Sequence, residues 1–196
     1  MRKIILLTAF SFCVFSFAQK AKCTLGVNGV GIFPMGNNYL KDGVESFAGV
    51  GLTFQTIFRN NMGFGIELNR SFSDVKNKSI YGELDSPRLT NIGAYYIYKY
   101  PFTNSLGVQG QVGYSLMALT SQSSNWSNTY TENASAFFFG TELSYHFPKA
   151  KIVEIYASPK LYFFESLVKF EEKDIDRYYS RAALLNINVG VRIYLN

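Results

Sequence analysis

The chain ends in "LLNINVGVRIYLN" (Leu184–Asn196), a stretch with a regular order of apolar and polar residues. From Leu185 to Leu195, every second residue is apolar. The residues between them are mostly small or polar and include Asn186, Asn188 and Arg192. A period of two residues is typical of a β-strand with one apolar and one polar face. This strand is therefore predicted to separate a dry environment from a polar one.

Seven earlier stretches of the chain alternate in the same way, so the sequence predicts an all-β chain of eight strands. Pro159 lies inside the seventh stretch and is an irregularity, because proline cannot donate a ladder hydrogen bond. The seven stretches are Thr24–Phe33, Phe47–Arg59, Met62–Phe72, Leu89–Tyr100, Ser105–Leu119, Ala136–Phe147 and Val153–Phe164.

The connections between these strands alternate between long and short. In a meander, successive connections fall at opposite ends, so all long connections are predicted at one end and all tight turns at the other. The long, polar connections are Pro34–Ser46, Ser73–Arg88, Thr120–Ser135 and Glu165–Arg181. The short connections are Arg59–Asn61, Pro101–Asn104 and Pro148–Ile152.

The composition of the polar faces indicates which side of the sheet is dry. These faces carry Gly, Asn, Gln, Ser and Thr with few charges, and charged residues make up 17% of the chain. A soluble domain has roughly 25% charged residues, and its surface carries Lys and Glu. A membrane barrel instead places apolar residues outside and polar residues inside. The sequence therefore predicts a closed barrel, in which closure satisfies the strand edges that lipid would leave unpaired.

Two further patterns concern the ends of the chain and of the strands. Arg2 and Lys3, the apolar run Ile4–Phe17 and the small Ala18 form the pattern of a secretory signal peptide. We therefore expect a cleaved signal peptide at residues 1–18 and a single barrel domain at residues 19–196.

Aromatic residues near strand ends are predicted to form girdles at the membrane interfaces. They are Phe33, Phe58, Tyr98, Tyr100, Phe102, Tyr145, Phe147, Phe163, Phe164 and Tyr194.

Charge and cysteine content argue against a nucleic-acid-binding protein and against a disulfide-bonded fold. The net charge of +5 becomes +3 when Arg2 and Lys3 are removed, which is too small and scattered to indicate nucleic-acid binding. Cys23 would be the only cysteine of the mature chain, so an internal disulfide is excluded. The single histidine, His146, lies beside a short turn. No Ser/His/Asp constellation, metal-ligand cluster or phosphate-binding loop is visible, so we predict a non-enzymatic protein without a cofactor or metal.

The signal peptide, the eight alternating strands, the alternating connections and the amphipathic last strand together resemble the small outer-membrane β-barrel family. The OmpA transmembrane domain and OmpX typify this porin-like family. The resemblance implies an eight-stranded antiparallel up-and-down transmembrane β-barrel with periplasmic termini and long loops outside the cell. It also implies contact with outer-membrane lipid and with the barrel assembly machinery, which would recognise the last strand through Tyr194 and Leu195.

Charged residues on the predicted inner faces form the first candidate site. An enclosed charge is costly unless it is paired, so Arg192 and Lys160 are expected to pair with some of the carboxylates. One hypothesis is a salt-bridged plug that fixes strand register, since eight strands leave little lumen. The other is a gated pore or proton path. The five residues are Glu67, Glu142, Glu154, Lys160 and Arg192.

Aromatic residues in the long connections form the second candidate site, because loops on a rigid scaffold commonly carry binding. These residues are Trp126, Tyr130, Tyr178 and Tyr179. The leading functional prediction is a structural or surface-binding barrel with a polar, side-chain-filled interior. One alternative is a small pore for passive transport. The other is a soluble, secreted lipocalin-like binder with its apolar faces inside.

Overall fold

The computed structural model describes residues 21–103, 105–123, 128–150 and 152–195. The predicted signal peptide and Trp126 lie outside these residues. The described chain forms eight strands and three short helices. The strands are β1 (Lys22–Met35), β2 (Phe47–Ile57), β3 (Met62–Phe72), β4 (Leu84–Pro101), β5 (Leu106–Ser123), β6 (Thr129–His146), β7 (Val153–Ser166) and β8 (Arg181–Tyr194). The helices are α1 (Tyr39–Gly43), α2 (Lys78–Tyr81) and α3 (Lys173–Ser180).

The strands close into an antiparallel barrel in the order of the sequence. Closure is made by β1 and β8, which pair over most of their length with Val27 opposite Val191. The predicted fold is therefore confirmed. All three helices lie in the long connections. We call this end of the barrel the loop end, and the opposite end, with the connections at residues 58–61, 102–105 and 147–152, the turn end. None of the helices in the described part of the chain is long and apolar enough to cross a membrane.

The side chains alternate between the two surfaces as the sequence pattern requires. On β8, Asn186, Asn188 and Arg192 are buried inside the barrel, whereas Val189 and Val191 are exposed outside. Val50 is 68% exposed on the outer surface. The lipocalin-like alternative is therefore wrong, because it requires the apolar faces inside. Pro159 also lies on the outer surface, and the β6–β7 pairing is interrupted there, between Lys160 and Ala157.

The third long connection is shorter than predicted. Strands β5 and β6 continue beyond the predicted boundaries, and Thr120 pairs with Thr131. The polar composition of residues 120–135 suggested a loop, but Thr and Tyr favour strands. The second long connection is also shortened, because β4 begins at Leu84. A register shift between Asp85 and Arg88 accompanies this early start.

The interior has two parts of different composition. Towards the turn end it is polar, as predicted. Towards the loop end it contains an apolar core, which was not predicted, and α1 contributes Leu40 to this core. An alternating strand defines which side chains point inward but not how polar each depth of the interior is. Among its fully buried members are Ile32, Leu40, Phe47, Leu89, Phe138, Phe164 and Leu184.

The aromatic girdle prediction requires two corrections. Phe164 is 2% exposed and points into the barrel, because its neighbour Phe163 occupies the outward position. The Tyr194 hydroxyl donates a hydrogen bond to Glu154 inside the turn end. The exposed aromatic residues are consistent with the prediction. They are Phe33, Tyr98, Tyr100, Phe102, Tyr145, Phe147 and Phe163.

Candidate functional site: a charged layer in the lumen and a pocket at the loop end

All five charged residues predicted to face inward are buried inside the barrel. Glu67 lies on β3, Glu142 on β6, Glu154 and Lys160 on β7, and Arg192 on β8. None of them is more than 2% exposed. The structure divides them into two groups, one around Glu67 and one around Arg192. We call these five residues together with Lys99 the charged layer.

The first group joins opposite walls of the barrel. Lys160 Nζ lies 2.5 Å from Glu67 Oε2. Glu67 Oε1 accepts hydrogen bonds from the Tyr162 hydroxyl and, at 3.2 Å, from Asn91 Nδ2. Strands β3 and β7 are four positions apart in a ring of eight, so they face each other. This ion pair therefore spans the lumen.

The second group is centred on the Arg192 guanidinium. Its terminal nitrogens donate to Glu142 and to the Gln55 side-chain oxygen. Its Nε lies 3.4 Å from Glu154 Oε1. Gln55 is on β2 and Glu142 is on β6, so this group also connects opposite walls. The planar guanidinium suits this role, because it presents several donors in a fixed geometry.

Lys99 completes the charged layer and was missed in the sequence. Its Nζ lies 3.2 Å from Glu154 Oε2. Lys99 and Tyr95 point to the same side of β4, so the alternation of the strand indicates that Lys99 faces inward. The sequence alone does not single it out, because it lies at the strand end, next to a predicted turn. With Lys99, Lys160 and Arg192 against three carboxylates, the formal charges of the layer sum to zero.

The two groups are linked by uncharged side chains. Gln55 Nε2 donates to the Tyr95 hydroxyl over 3.1 Å. Lys160 Nζ in turn lies 4.5 Å from the centre of the Tyr95 ring, within the range of a cation–π interaction. Gly65 makes room for this ring, because a Cβ atom there would overlap it. The charged layer is therefore one connected network across the barrel.

The turn end is open to solvent below this layer. A recess of about 630 Å³ is lined by residues that include Lys22, Lys99, His146 and Tyr194. The His146 ring packs edge-on against Tyr194, with ring centres 5.6 Å apart. His146 thus lies at the end of the barrel where the sequence placed it. Among the described residues, no group of three or more His, Cys, Asp or Glu side chains could hold a metal ion.

The loop end contains a smaller pocket, of about 230 Å³. Two of the predicted loop residues, Tyr130 and Tyr179, line it. Tyr178 does not; its hydroxyl donates to Asp42 Oδ2 over 2.9 Å and ties α3 to α1. Burial, followed by this hydrogen bond and the Asp42 charge, raises the pKa of Tyr178 to about 12.

Four further pocket residues were missed in the sequence: Tyr39, Tyr81, Glu132 and Phe170. The Tyr39 hydroxyl donates to Glu132 Oε2 over 2.6 Å. Burial and the nearby carboxylate raise the pKa of Tyr39 far above its usual value. Burial also raises the pKa of Tyr81 to about 12, against a hydrogen bond with Ser121 that lowers it. Both phenols therefore remain protonated at neutral pH.

The charged interior and the apolar outer surface together define the class of this protein. A closed barrel with an apolar outer surface and a polar, ion-paired interior is a membrane-spanning β-barrel. The family model described as "Outer membrane protein beta-barrel domain" matches residues 4–194. The chain therefore belongs to this outer-membrane barrel family and contacts outer-membrane lipid. Among curated proteins, no match is found.

Several solved structures share the fold. Neisserial surface protein A (NspA) is 13% identical with a TM-score of 0.61, and the match covers 89% of this chain and 99% of that one. Ail of Yersinia pestis, in complex with the heparin analogue sucrose octasulfate, is 11% identical with a TM-score of 0.56, over 90% and 100%. A major outer membrane protein from Thermus thermophilus is 12% identical with a TM-score of 0.55, over 89% and 99%. At these identities the likeness shows the fold alone.

Proposed function

We propose that this protein is a non-enzymatic outer-membrane barrel with a closed lumen and a binding surface at its loop end. The observation that carries the proposal is the charged layer. Its contacts join β3 to β7 and β2 to β6 across the lumen. An eight-stranded barrel has an interior just wide enough for side chains. Towards the loop end, the apolar core beneath α1 also fills the lumen.

The orientation of the barrel in the membrane is proposed from the difference between its two ends. We propose that residues 1–18 direct export, that the turn end faces the periplasm and that the loop end faces outside. The three helices and the long β5–β6 hairpin at the loop end support this, because barrels of this type have short periplasmic turns and longer extracellular loops. The barrel assembly machinery would recognise β8, whose pairing with β1 closes the barrel.

The competing function is a small pore for passive transport, and conductance in a planar bilayer separates the two. We expect the wild-type barrel to be electrically silent. Arg192→Ala should produce openings, because it removes the side chain that bridges β2 and β6. Arg181→Ala is the matched control, since Arg181 lies on the same strand with an exposed side chain. Steady conductance of the wild-type protein would contradict the proposal and support a pore.

A further inference from the structure

The loop-end pocket is built from parts of the chain that are far apart in sequence. Tyr39 comes from α1, Tyr81 from α2, Glu132 from β6 and Tyr179 from α3. Glu132 lies in the stretch of β6 that extends the barrel wall beyond the predicted strand. The carboxylate is therefore on a strand, and a strand holds a side chain more rigidly than a loop does.

Aromatic side chains form part of the pocket wall, beside the aliphatic Ile80, Leu84, Leu119 and Val168. Tyr39, Tyr81, Tyr130, Phe170 and Tyr179 all line it. The rings support one another, with 5.7 Å between the centres of Tyr39 and Tyr179 and 5.6 Å between those of Phe170 and Tyr179. Tyr39 and Tyr81 are stacked with 6.4 Å between their centres. Aromatic faces carry negative partial charge, so they attract a cation that is placed against them.

The charge of the pocket has the same sign as the ring faces. Among the described residues that line the pocket, Glu132 is the only one with a formal charge. Its hydrogen-bond partner is the neutral phenol of Tyr39. Within the described part of the chain, no lysine or arginine lies within ion-pair distance of Glu132. A carboxylate without a protein counter-charge is complementary to a cationic ligand.

The size of the pocket limits the ligand. A volume of about 230 Å³ is below the range of about 300–1,000 Å³ usual for drug-sized ligands. A hydrated metal ion would form few favourable contacts with the five aromatic side chains. A phosphate-containing group would find no positively charged side chain among the described lining residues. A small ammonium ion with hydrocarbon substituents fits the carboxylate, the ring faces and the volume together.

We propose that this pocket binds a small organic cation, with an ammonium group held between the tyrosine rings and the Glu132 carboxylate. This inference rests on the proposed surface-binding function and gives it a ligand class. Glu132 supplies the counter-charge, Tyr39 orients the carboxylate through its hydrogen bond, and Tyr179 supplies a ring face. Both protonated amines and quaternary ammonium ions have this combination of charge and hydrocarbon substituents.

The test compares two ligands of nearly equal shape. Choline and 3,3-dimethylbutan-1-ol differ in having a charged nitrogen or a neutral carbon at the same position. Binding is measured by calorimetry on the full mature barrel, in a detergent that has no choline headgroup. We expect choline to bind about tenfold more tightly than the neutral alcohol. Tetramethylammonium and butylammonium then distinguish a preference for quaternary ions from a general preference for ammonium groups.

Variants identify the residues responsible. Glu132→Gln keeps an acceptor for Tyr39 but removes the charge, so it should abolish the preference for choline over the alcohol. Tyr179→Leu should weaken choline binding and leave the alcohol less affected. Glu165→Gln is the control, because Glu165 is an exposed carboxylate at the same end but outside the pocket. A gel-mobility shift on boiling verifies that each variant still forms the barrel.

Two results would overturn the inference. Equal affinity for choline and the alcohol would show that the pocket recognises shape and apolar surface instead of charge. No binding of any of the three cations at millimolar concentration would show that the pocket does not take organic cations. Neither result affects the closed lumen, which is tested separately by conductance. Conduction by the wild-type protein would instead refute the proposed function, whatever the pocket binds.

Discussion

The turn-side half of the barrel interior is filled by charged and amide side chains, whereas the loop-side half is filled by hydrocarbon and aromatic rings. In the first half, the charges depend on particular partners, as Lys160 depends on Glu67 across the lumen. In the second half, contacts such as those of Leu40 are apolar and non-directional. One alternating sequence pattern can therefore enclose two kinds of core. Polar contacts should be sensitive to single changes, and apolar contacts should tolerate changes that conserve volume.

The largest effect is expected when a charge in the layer loses its partner. Arg192→Met keeps much of the side-chain volume but leaves Glu142 and Glu154 without their shared cation. Breaking a buried ion pair in this way costs about 3–5 kcal/mol. The free energy of unfolding can be measured by urea titration of the barrel in lipid vesicles.

The control for this prediction is Arg181→Met, on the same strand. Arg181 pairs at 3.6 Å with Glu165, and both side chains are exposed. A surface pair of this kind contributes about 0–1 kcal/mol. Equal losses for the two arginine variants would show that the charged layer has no special role.

A smaller and more local effect is expected in the apolar half. Leu40 is 1% exposed in α1, where it packs into the loop-side core. Leu40→Ala should cost about 2 kcal/mol, at the lower end of the range for buried leucines, because the neighbouring loops can collapse around it. We expect trypsin to cut the loop end faster, while the mobility shift on boiling is retained.

Leu167→Ala serves as the comparison for Leu40→Ala. Leu167 is 71% exposed at the same end of the barrel, so its truncation should leave trypsin resistance unchanged. Loss of the whole barrel in Leu40→Ala would mean that the two halves are not independent.

The smallest effect is expected from alkaline pH, again at the loop end. Burial raises the pKa of Tyr81 to about 12, so the folded loop end favours the protonated phenol. Its contribution to stability is complete below the unfolded pKa of about 10 and is lost as the pH rises through about 12. Trypsin cannot be used at such pH and amide hydrogen exchange is too fast to follow there, so near-ultraviolet circular dichroism, which reports the packing of tyrosine rings, is the measurement.

Tyr81→Phe should remove part of this pH dependence, because phenylalanine cannot ionise. The variant also loses the 2.8 Å hydrogen bond between Tyr81 and Ser121. A small loss of stability at neutral pH is therefore expected alongside the flatter pH profile. An unchanged profile between pH 10 and 12 would show that Tyr81 ionises without opening the loop end.

The sequence predicted the strands, their order and most inward and outward assignments, because a period of two residues is visible without knowing the partners. Phe164 was nevertheless misplaced, since its proximity to a strand end outweighed its parity. Lys99 and Glu132 were missed because they lie in or beside stretches that were interpreted as connections. The pairing of Glu67 with Lys160 could not be predicted, because strand tilt decides which residues meet across a barrel.

Whether the charged layer joins opposite walls of the lumen can be measured by a double-mutant cycle on Glu67 and Lys160. Glu67→Gln, Lys160→Met and the double variant are compared by urea unfolding in lipid vesicles. We predict that each single change costs about 3–5 kcal/mol and that the double variant costs much less than their sum, because removing both charges leaves none unpaired. Additive losses would show that these two residues do not interact across the barrel and that the charged layer does not join its walls.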